Sequence, residues 1–189
     1  MSDANEYHHQ HGHHEGDTCQ CRSATVTVGQ TLDEMDFERG IWSAAIYNDI
    51  HRIKDFIQKG DVDRRDNGGY TALHYAARHG HNEICRLLLD ANCNVNAKTK
   101  GGATPLHRAS MMGHKNIVDM LLRSNAKVDL QDEDGQTALH RSAAKGLVEI
   151  SKSLIRMSND LKSIQDKKGR IPYDLIPSGN EELKRLLAI

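Results

Sequence analysis

Short apolar clusters are separated by polar stretches along most of the chain, and the clusters recur at a fixed distance. Within a cluster the apolar side chains lie about three to five positions apart, which is the spacing of one face of an α-helix. Three such clusters, which begin at equal intervals along the chain, are Ile84/Leu87/Leu88, Ile117/Met120/Leu121 and Ile150/Leu154/Ile155. They predict three amphipathic helices whose apolar sides are turned inward.

A shorter helix is predicted before each cluster. Threonine is a good N-cap for it, because the hydroxyl can accept a hydrogen bond from a free N–H of the first turn. Glycine is expected to end it, since glycine enters the left-handed conformation without a steric penalty. The first residues are Thr71-Ala72-Leu73-His74, Thr104-Pro105-Leu106-His107 and Thr137-Ala138-Leu139-His140, and the glycines are Gly80, Gly113 and Gly146. A period of about 20 to 50 residues is typical of stacked-repeat proteins.

These segments, which read Thr-Ala-Leu-His or Thr-Pro-Leu-His, resemble the Thr-Pro-Leu-His signature of the ankyrin-repeat family, whose repeat is about 33 residues long, and they recur here at that same interval. The resemblance implies an all-α solenoid of helix-turn-helix units with hairpin fingers. Three full repeats, at 67–100, 101–133 and 134–166, are expected. A capping helix and N-terminal capping repeat at 31–66 precede them, and a C-terminal capping repeat at 167–189 follows. The third segment departs from the signature, because Ser142 stands where alanine is usual.

Both ends of the repeat region depart from the pattern. At the front, Asn48 replaces the usual glycine, and asparagine also tolerates the left-handed conformation. Trp42 takes the position of the signature histidine; it could anchor a partner at the rim or cover the end of the stack, and the second interpretation is favoured. A capping box at Thr31 and Glu34 predicts a short helix through Phe37. At the back, Ile171 replaces the capping threonine, and one extra residue falls between positions 158 and 165.

Composition and charge narrow the function. The 189 residues carry a formal net charge of -1, which argues against a protein that binds nucleic acid through uncompensated cations. We expect no membrane span, because no apolar run approaches the length that one needs, and no secretory signal precedes the repeats. The cytosol or the nucleus is therefore the expected location. The four cysteines are then expected to be free thiols or metal ligands.

Residues 1–30 form a different region, for which two interpretations stay open. It is rich in nitrogen and sulfur ligands that suit zinc, copper or nickel: His8, His9, His11, His13, His14, Cys19 and Cys21. It also has no hydrophobic periodicity, which favours a disordered polar tail. The spacing is not that of a zinc finger, so no metal site or cofactor is assigned. A metal-binding or metal-responsive protein that acts through this tail is the alternative function.

Nothing in the chain predicts an enzyme. A phosphate-binding loop, a metalloprotease motif and a nucleophile elbow are all absent from the sequence. The histidines His74, His107 and His140 recur once in every repeat, whereas an active site needs a single constellation. We expect them to be structural, each hydrogen-bonded near the N-cap threonine and joining neighbouring repeats. Cys85 is expected to be a small buried side chain.

The resemblance implies a protein partner on the concave surface formed by the fingers and the first helices. The residues that the repeat register places there are Tyr70, Tyr75, Arg78, His79, Arg108, Met111, Met112, Arg141 and Lys145, with Asp66, Lys98, Lys100, Asp132 and Asp134 at the finger tips. The helical positions are basic, so we expect an acidic, partly apolar partner segment, bound by a monomer. Solvated surface charge is the alternative interpretation. The resemblance also implies that Asn96 could be hydroxylated by an asparaginyl hydroxylase.

Overall fold

The computed structural model describes Phe37 and residues 39–188, which lie in one compact unit. Its α-helices are α1 (Ile41–Ile46), α2 (Ile50–Gln58), α3 (Ala72–His79), α4 (Asn82–Asp90), α5 (Pro105–Met112), α6 (Lys115–Arg123), α7 (Ala138–Ala144), α8 (Val148–Met157) and α9 (Glu181–Leu187). Two 3-10 helices span Asn159–Lys162 and Pro172–Leu175. The described residues contain no strand, as the all-α prediction requires.

The helices form two rows. The inner row consists of α1, α3, α5 and α7, each packed on the next, and the 3-10 helix Pro172–Leu175 packs on α7. The outer row consists of α2, α4, α6 and α8, each packed on its inner partner and on its outer neighbours, with α9 against α8. This arrangement is the predicted solenoid of helix-turn-helix units, and the turns that precede the inner helices all lie at one edge.

Small side chains line the inner row and larger aliphatic ones the outer row. Ala76, Ala77 and Ala109 are fully buried, so neighbouring inner helices approach closely. The predicted outer stripes are confirmed, since Ile84, Leu88 and their equivalents in α6 and α8 lie in one continuous core. Cys85 is part of that core, and burial raises the pKa of its thiol to about 12. It is therefore an inert apolar side chain, as expected.

Left-handed residues end the helices at regular positions. Gly80 and Gly113 are the C-caps of α3 and α5, with φ of 82° and 86°, as predicted. Gly146 is also left-handed, but α7 ends one residue earlier, at the C-cap Lys145. Asn48 takes the left-handed conformation expected of it, with φ of 58°.

At the N-terminal end, Phe37 is helical and packs on the first repeat. Its ring stacks on Trp42 at 5.9 Å between centroids and meets the edge of Tyr75 at 5.7 Å. Trp42 is only 5% exposed, and its indole N–H donates to the carbonyl of Arg64 at 3.0 Å. Trp42 is therefore a covered part of the end of the stack and not a rim anchor. Thr31 and Glu34 lie outside the described residues.

The C-terminal end shows how the repeat is shortened. Pro172–Leu175 is a single 3-10 turn in place of a full inner helix. The backbone N–H of Ile171 donates to the Asp174 carboxylate at 2.9 Å, so an aspartate caps the turn that the missing threonine would have capped. The extra residue lengthens α8, which has ten residues where α4 and α6 have nine, and the 3-10 helix Asn159–Lys162 follows after Ser158.

Candidate protein-binding face

A hydrogen-bonded tie joins each inner helix to the turn of the next repeat. The backbone N–H of Thr71 donates to Nδ1 of His74 at 3.1 Å, and the threonine hydroxyl lies 2.9 Å from the same nitrogen. Nε2 of His74 lies 3.1 Å from the carbonyl of Ala103. Thr104 with His107 and Thr137 with His140 repeat the arrangement, reaching the carbonyls of Gln136 and Arg170. The structural role predicted for these histidines is confirmed.

The partners of each tie fix the state of the imidazole. Because a carbonyl only accepts, Nε2 must carry the proton, and Nδ1 is the acceptor for the backbone N–H and the hydroxyl. Burial lowers the pKa of His74 to about 4 and also lowers the pKa values of His107 and His140. All three histidines are therefore neutral at pH 7, and a buried neutral donor bonded to a carbonyl has no catalytic partner.

The turns before the inner helices, which we call fingers 1 to 4, share one plan. They comprise residues 66–70, 99–103, 132–136 and 166–170. In each finger the first backbone N–H bonds to the carbonyl of the fifth residue, at 2.9 to 3.0 Å. Adjacent fingers are joined by single backbone bonds, such as Lys100 N–H to the Gly68 carbonyl at 2.8 Å. The fingers therefore form a row along the edge of the inner helices.

Three fingers begin with an aspartate that has two functions. One carboxylate oxygen accepts backbone N–H groups within the finger and so closes the turn. The second oxygen accepts from a side chain: the Tyr75 hydroxyl at 2.5 Å for Asp66, and Arg141 at 2.5 and 3.0 Å for Asp132. The second oxygen of Asp166 accepts in the same way from Nη2 and Nε of Arg170, at 2.7 and 2.9 Å. The inner-helix residue that pairs with the finger stands nine positions after the aspartate in fingers 1 and 3.

Finger 2 is different because Thr99 replaces the aspartate. The Thr99 hydroxyl accepts from the Ala103 N–H at 3.1 Å and so closes the turn, but threonine has no second oxygen. Arg108, nine positions later, therefore lacks the carboxylate that Arg141 has. It donates instead to the Tyr70 hydroxyl at 2.5 Å and lies over the Tyr70 ring at 5.1 Å. Its Nε is buried without a hydrogen-bond partner.

The structure divides the nine predicted partner-binding residues into two groups. Near the fingers are Tyr70, Tyr75, Arg108, Met111 and Arg141, and the rings of Tyr70 and Tyr75 lie 5.4 Å apart. At the opposite ends of the inner helices are Arg78, His79, Met112 and Lys145, all exposed. Within the first group, Tyr70, Tyr75 and Arg108 form a connected surface through ring contacts and a hydrogen bond, and Met111 and Arg141 line the same pocket as Tyr70 and Arg108. No contact with a partner tests either group, so both remain predictions.

The structure gives one of the basic helical positions acidic neighbours. Arg141 is held by Asp132 and also by Asp134, at 3.0 Å. Asp132 is a buried residue, 8% exposed, and not a finger tip open to a partner. The spacing of nine residues between Asp132 and Arg141 was the signal available in the sequence. Arg108 remains as the arginine of this group without an acidic partner among the described residues.

A cleft of about 300 Å³ lies between fingers 2 and 3 beside Arg108. Its floor includes Thr99 and His107, and Met111 gives it an apolar wall. Glu133 and Asp134 of finger 3 are exposed at its border. We call this space the Arg108 cleft. It combines a cation, an apolar wall and acidic borders, which is the mixed character of a surface that binds a polypeptide.

Two hypotheses from the sequence stay predictions: metal binding by residues 1–30 and hydroxylation of Asn96. The histidines and the Cys19–Cys21 pair lie outside the described residues. Within Phe37 and residues 39–188, no three histidine, cysteine or acidic side chains are grouped as metal ligands would be. The Asn96 side chain accepts from the Lys127 N–H at 2.8 Å, which joins the loop after α4 to the loop after α6.

None of the described helices combines the length and the apolarity that a bilayer crossing requires.

Comparison with known proteins agrees with this architecture. The family profile described as "Ankyrin repeats (3 copies)" matches residues 41–132. Over 86 residues the chain is 51% identical to the human protein named ankyrin repeat domain-containing protein 39, covering 45% of this chain and 47% of that one. Over 68 residues it is 59% identical to the Bos taurus protein of the same name, covering 35% and 37%. The chain thus aligns with less than half the length of either relative.

A more distant match is to palmitoyltransferase akr1 of Schizosaccharomyces pombe, at 39% identity over 59 residues. It covers 30% of this chain and only 9% of that enzyme, so it concerns the repeats and carries no argument for an activity. Ankyrin repeats typically mediate protein–protein interaction and are not enzymes. The profile match identifies ankyrin repeats over residues 41–132. The paired helices and the repeated Thr–His ties continue the same all-α solenoid through the rest of the described residues.

Proposed function

We propose that this chain is a non-enzymatic adaptor that holds an acidic, partly apolar segment of a protein partner against fingers 1 to 3 and helices α3, α5 and α7. The observation that carries the proposal is the connected surface of Tyr70, Tyr75 and Arg108 beside the Arg108 cleft. Tyrosine and arginine are the residue types that contribute most often to binding energy at interfaces.

The same surface supports the proposed partner chemistry. Arg108 supplies positive charge that no described carboxylate neutralises, and Met111 offers a polarisable apolar side chain that adapts to varied contacts. Exposed Arg78, Lys145 and Met112 extend basic and apolar character along the inner helices. The two described cysteines are free thiols, which supports the cytosol or the nucleus, where thiols stay reduced. We propose that the chain binds its partner as a monomer, without nucleic acid or membrane.

Charge reversal tests the groove. Arg108→Glu should remove captured proteins from an affinity purification, with losses of about tenfold or more, because it replaces the free cation by a repelling anion. The matched control is Arg123→Glu, which reverses an exposed charge at the end of outer helix α6. Arg141 is not used, since a glutamate there would face buried Asp132 and disturb the fold. Equal capture by the wild type and both variants would contradict the proposal.

A further inference from the structure

We propose that the Arg108 cleft is a carboxylate-binding subsite, in which an aspartate or glutamate side chain of the partner takes the place of the aspartate that finger 2 lacks. This inference rests on the proposed function and adds the chemistry of one contact. It follows from comparing finger 2 with the other fingers of the same chain, where the equivalent aspartate is present and occupied.

The first step is the geometry that the other fingers display. In finger 3, one oxygen of Asp132 accepts hydrogen bonds from both Nε and Nη2 of Arg141, at 3.0 and 2.5 Å. Carboxylate and guanidinium match well, because the planar donor fork meets the lone pairs of the acid. Arg108 stands at the same position of its repeat but faces Thr99, whose oxygen is already used by the Ala103 N–H. The chain therefore keeps the arginine of the pair without the acid.

The second step is the state of Arg108 without that acid. Its Nη2 donates to the Tyr70 hydroxyl, and its Nε has no acceptor although it is buried. A buried N–H without a partner is unfavourable, so a carboxylate that reached the guanidinium would bind to a donor already removed from water.

The third step is the selection of a carboxylate over other anions. Asp132, Asp134 and Glu133 already surround the cleft, and Arg141 is neutralised by the first two. One uncompensated cation beside exposed Glu133 favours a single negative charge, whereas a phosphate with nearly two charges would be repelled. Met111 on the adjacent wall suits the methylene groups of the same side chain. A protein carboxylate meets these conditions.

The first experiment uses the chain itself. Thr99→Asp restores the aspartate of the other fingers, so it should pair with Arg108 and raise the melting temperature by a few degrees. Thr99→Asn is the matched control, because the amide can close the turn but carries no charge, and it should change the melting temperature little. In an Arg108→Met background the gain from Thr99→Asp should disappear. A melting temperature that Thr99→Asp leaves unchanged or lowers would overturn the inference.

The second experiment measures binding with a defined probe. A display library of random 12-residue peptides is selected on the wild-type chain, and the leading peptide is synthesised with each Asp or Glu also replaced by Asn or Gln. Fluorescence anisotropy should show one acidic position whose neutralisation weakens binding about tenfold or more. Thr99→Asp and Arg108→Met should cause the same loss, with no further loss for the neutralised peptide. Thr99→Asn should bind within about twofold of the wild type.

The outcomes separate this subsite from the proposed function. Peptides that lose affinity with Tyr75→Ala, but not with Thr99→Asp or with neutralisation of any acid, would leave the groove as a binding surface and overturn the carboxylate subsite. Selection of no peptide that depends on Tyr75 or Arg108 would overturn both. Preference for a phosphorylated version of the peptide over its acidic form would also overturn the choice of a carboxylate.

Discussion

The Thr–His ties and the finger aspartates lie at the same edge of the inner helices, but only the ties repeat without change. All three ties have the same three bonds, with distances that agree within a few tenths of an ångström. The finger positions hold Asp66, Thr99, Asp132 and Asp166, and their partners differ from repeat to repeat. Each tie joins its inner helix to the next finger through the same residues, whereas a finger closes with either an aspartate or a threonine.

This difference separates two uses of a repeated position. A residue that recurs with the same partners reports on the stack itself. A residue that breaks the recurrence while its helix partner is retained, as Thr99 does with Arg108, leaves that partner without its carboxylate. The outer-row core and the ties form the repeated part, and the finger pairs form the variable part.

The largest effect is expected in the repeated core. Leu88→Ala should lower the free energy of unfolding by about 2–5 kcal/mol, because Leu88 is fully buried in α4 and the neighbouring helices cannot close the cavity. Urea denaturation followed by circular dichroism measures the loss. Leu87→Ala, one residue earlier and only partly buried, is the control and should cost less. A loss below about 0.5 kcal/mol for Leu88→Ala would contradict the placement of Leu88 in the packed core.

Acidification should weaken the ties next. The pKa of His74 is about 4 in the folded chain and 6.5 as the ordinary value, so the unfolded chain binds the proton more tightly. Stability is therefore complete above pH 6.5 and falls as the pH decreases toward 4, by about 3 kcal/mol for His74 alone. His107 and His140 add to the loss with the same sign.

Urea denaturation at a series of pH values tests this dependence. A His74→Asn variant is the control, because it removes one titrating group and should give a shallower decrease between pH 6.5 and 4.5. Parallel curves for the wild type and this variant would contradict the account of the tie as a neutral histidine.

The smallest effect should distinguish the variable fingers from each other. Asp132→Asn keeps an oxygen for the finger N–H groups but removes the charge that holds Arg141, so a loss of about 1–2 kcal/mol is expected. Thr99→Asn should change the free energy of unfolding by less than about 0.5 kcal/mol, since no carboxylate is lost there. Equal losses at both positions, measured by urea denaturation, would remove the distinction between fingers 2 and 3.

The sequence predicted the repeated part well, because periodic residues report on contacts that are themselves periodic. The helix pairs, the left-handed Asn48 and the role of His74 all follow from matching equivalent positions in successive repeats. Left-handed Asn92 and Asn125 were not predicted, although they too occupy equivalent positions in successive repeats, because they lie in the loops after the outer helices, where no glycine marks the turn.

The variable part was predicted poorly, because its contacts run between positions nine residues apart within one repeat. Asp132 was assigned to a finger tip and Arg141 to the basic helical positions, and the ion pair between them was not predicted. Side-chain direction in a turn decides such a pair, and it does not follow from the repeat register. The contact between Tyr70 and Arg108, which belong to successive repeats, likewise could be seen only in the stacked structure.

Helix α8 indicates where this architecture accepts additional length. It has ten residues where α4 and α6 have nine, and the backbone bond from Lys167 to the Asp134 carbonyl is still made, at 2.9 Å. The tie from His140 also still reaches the next finger, at the Arg170 carbonyl. The outer row therefore tolerates a one-residue difference in helix length without a change in the contacts between neighbouring fingers.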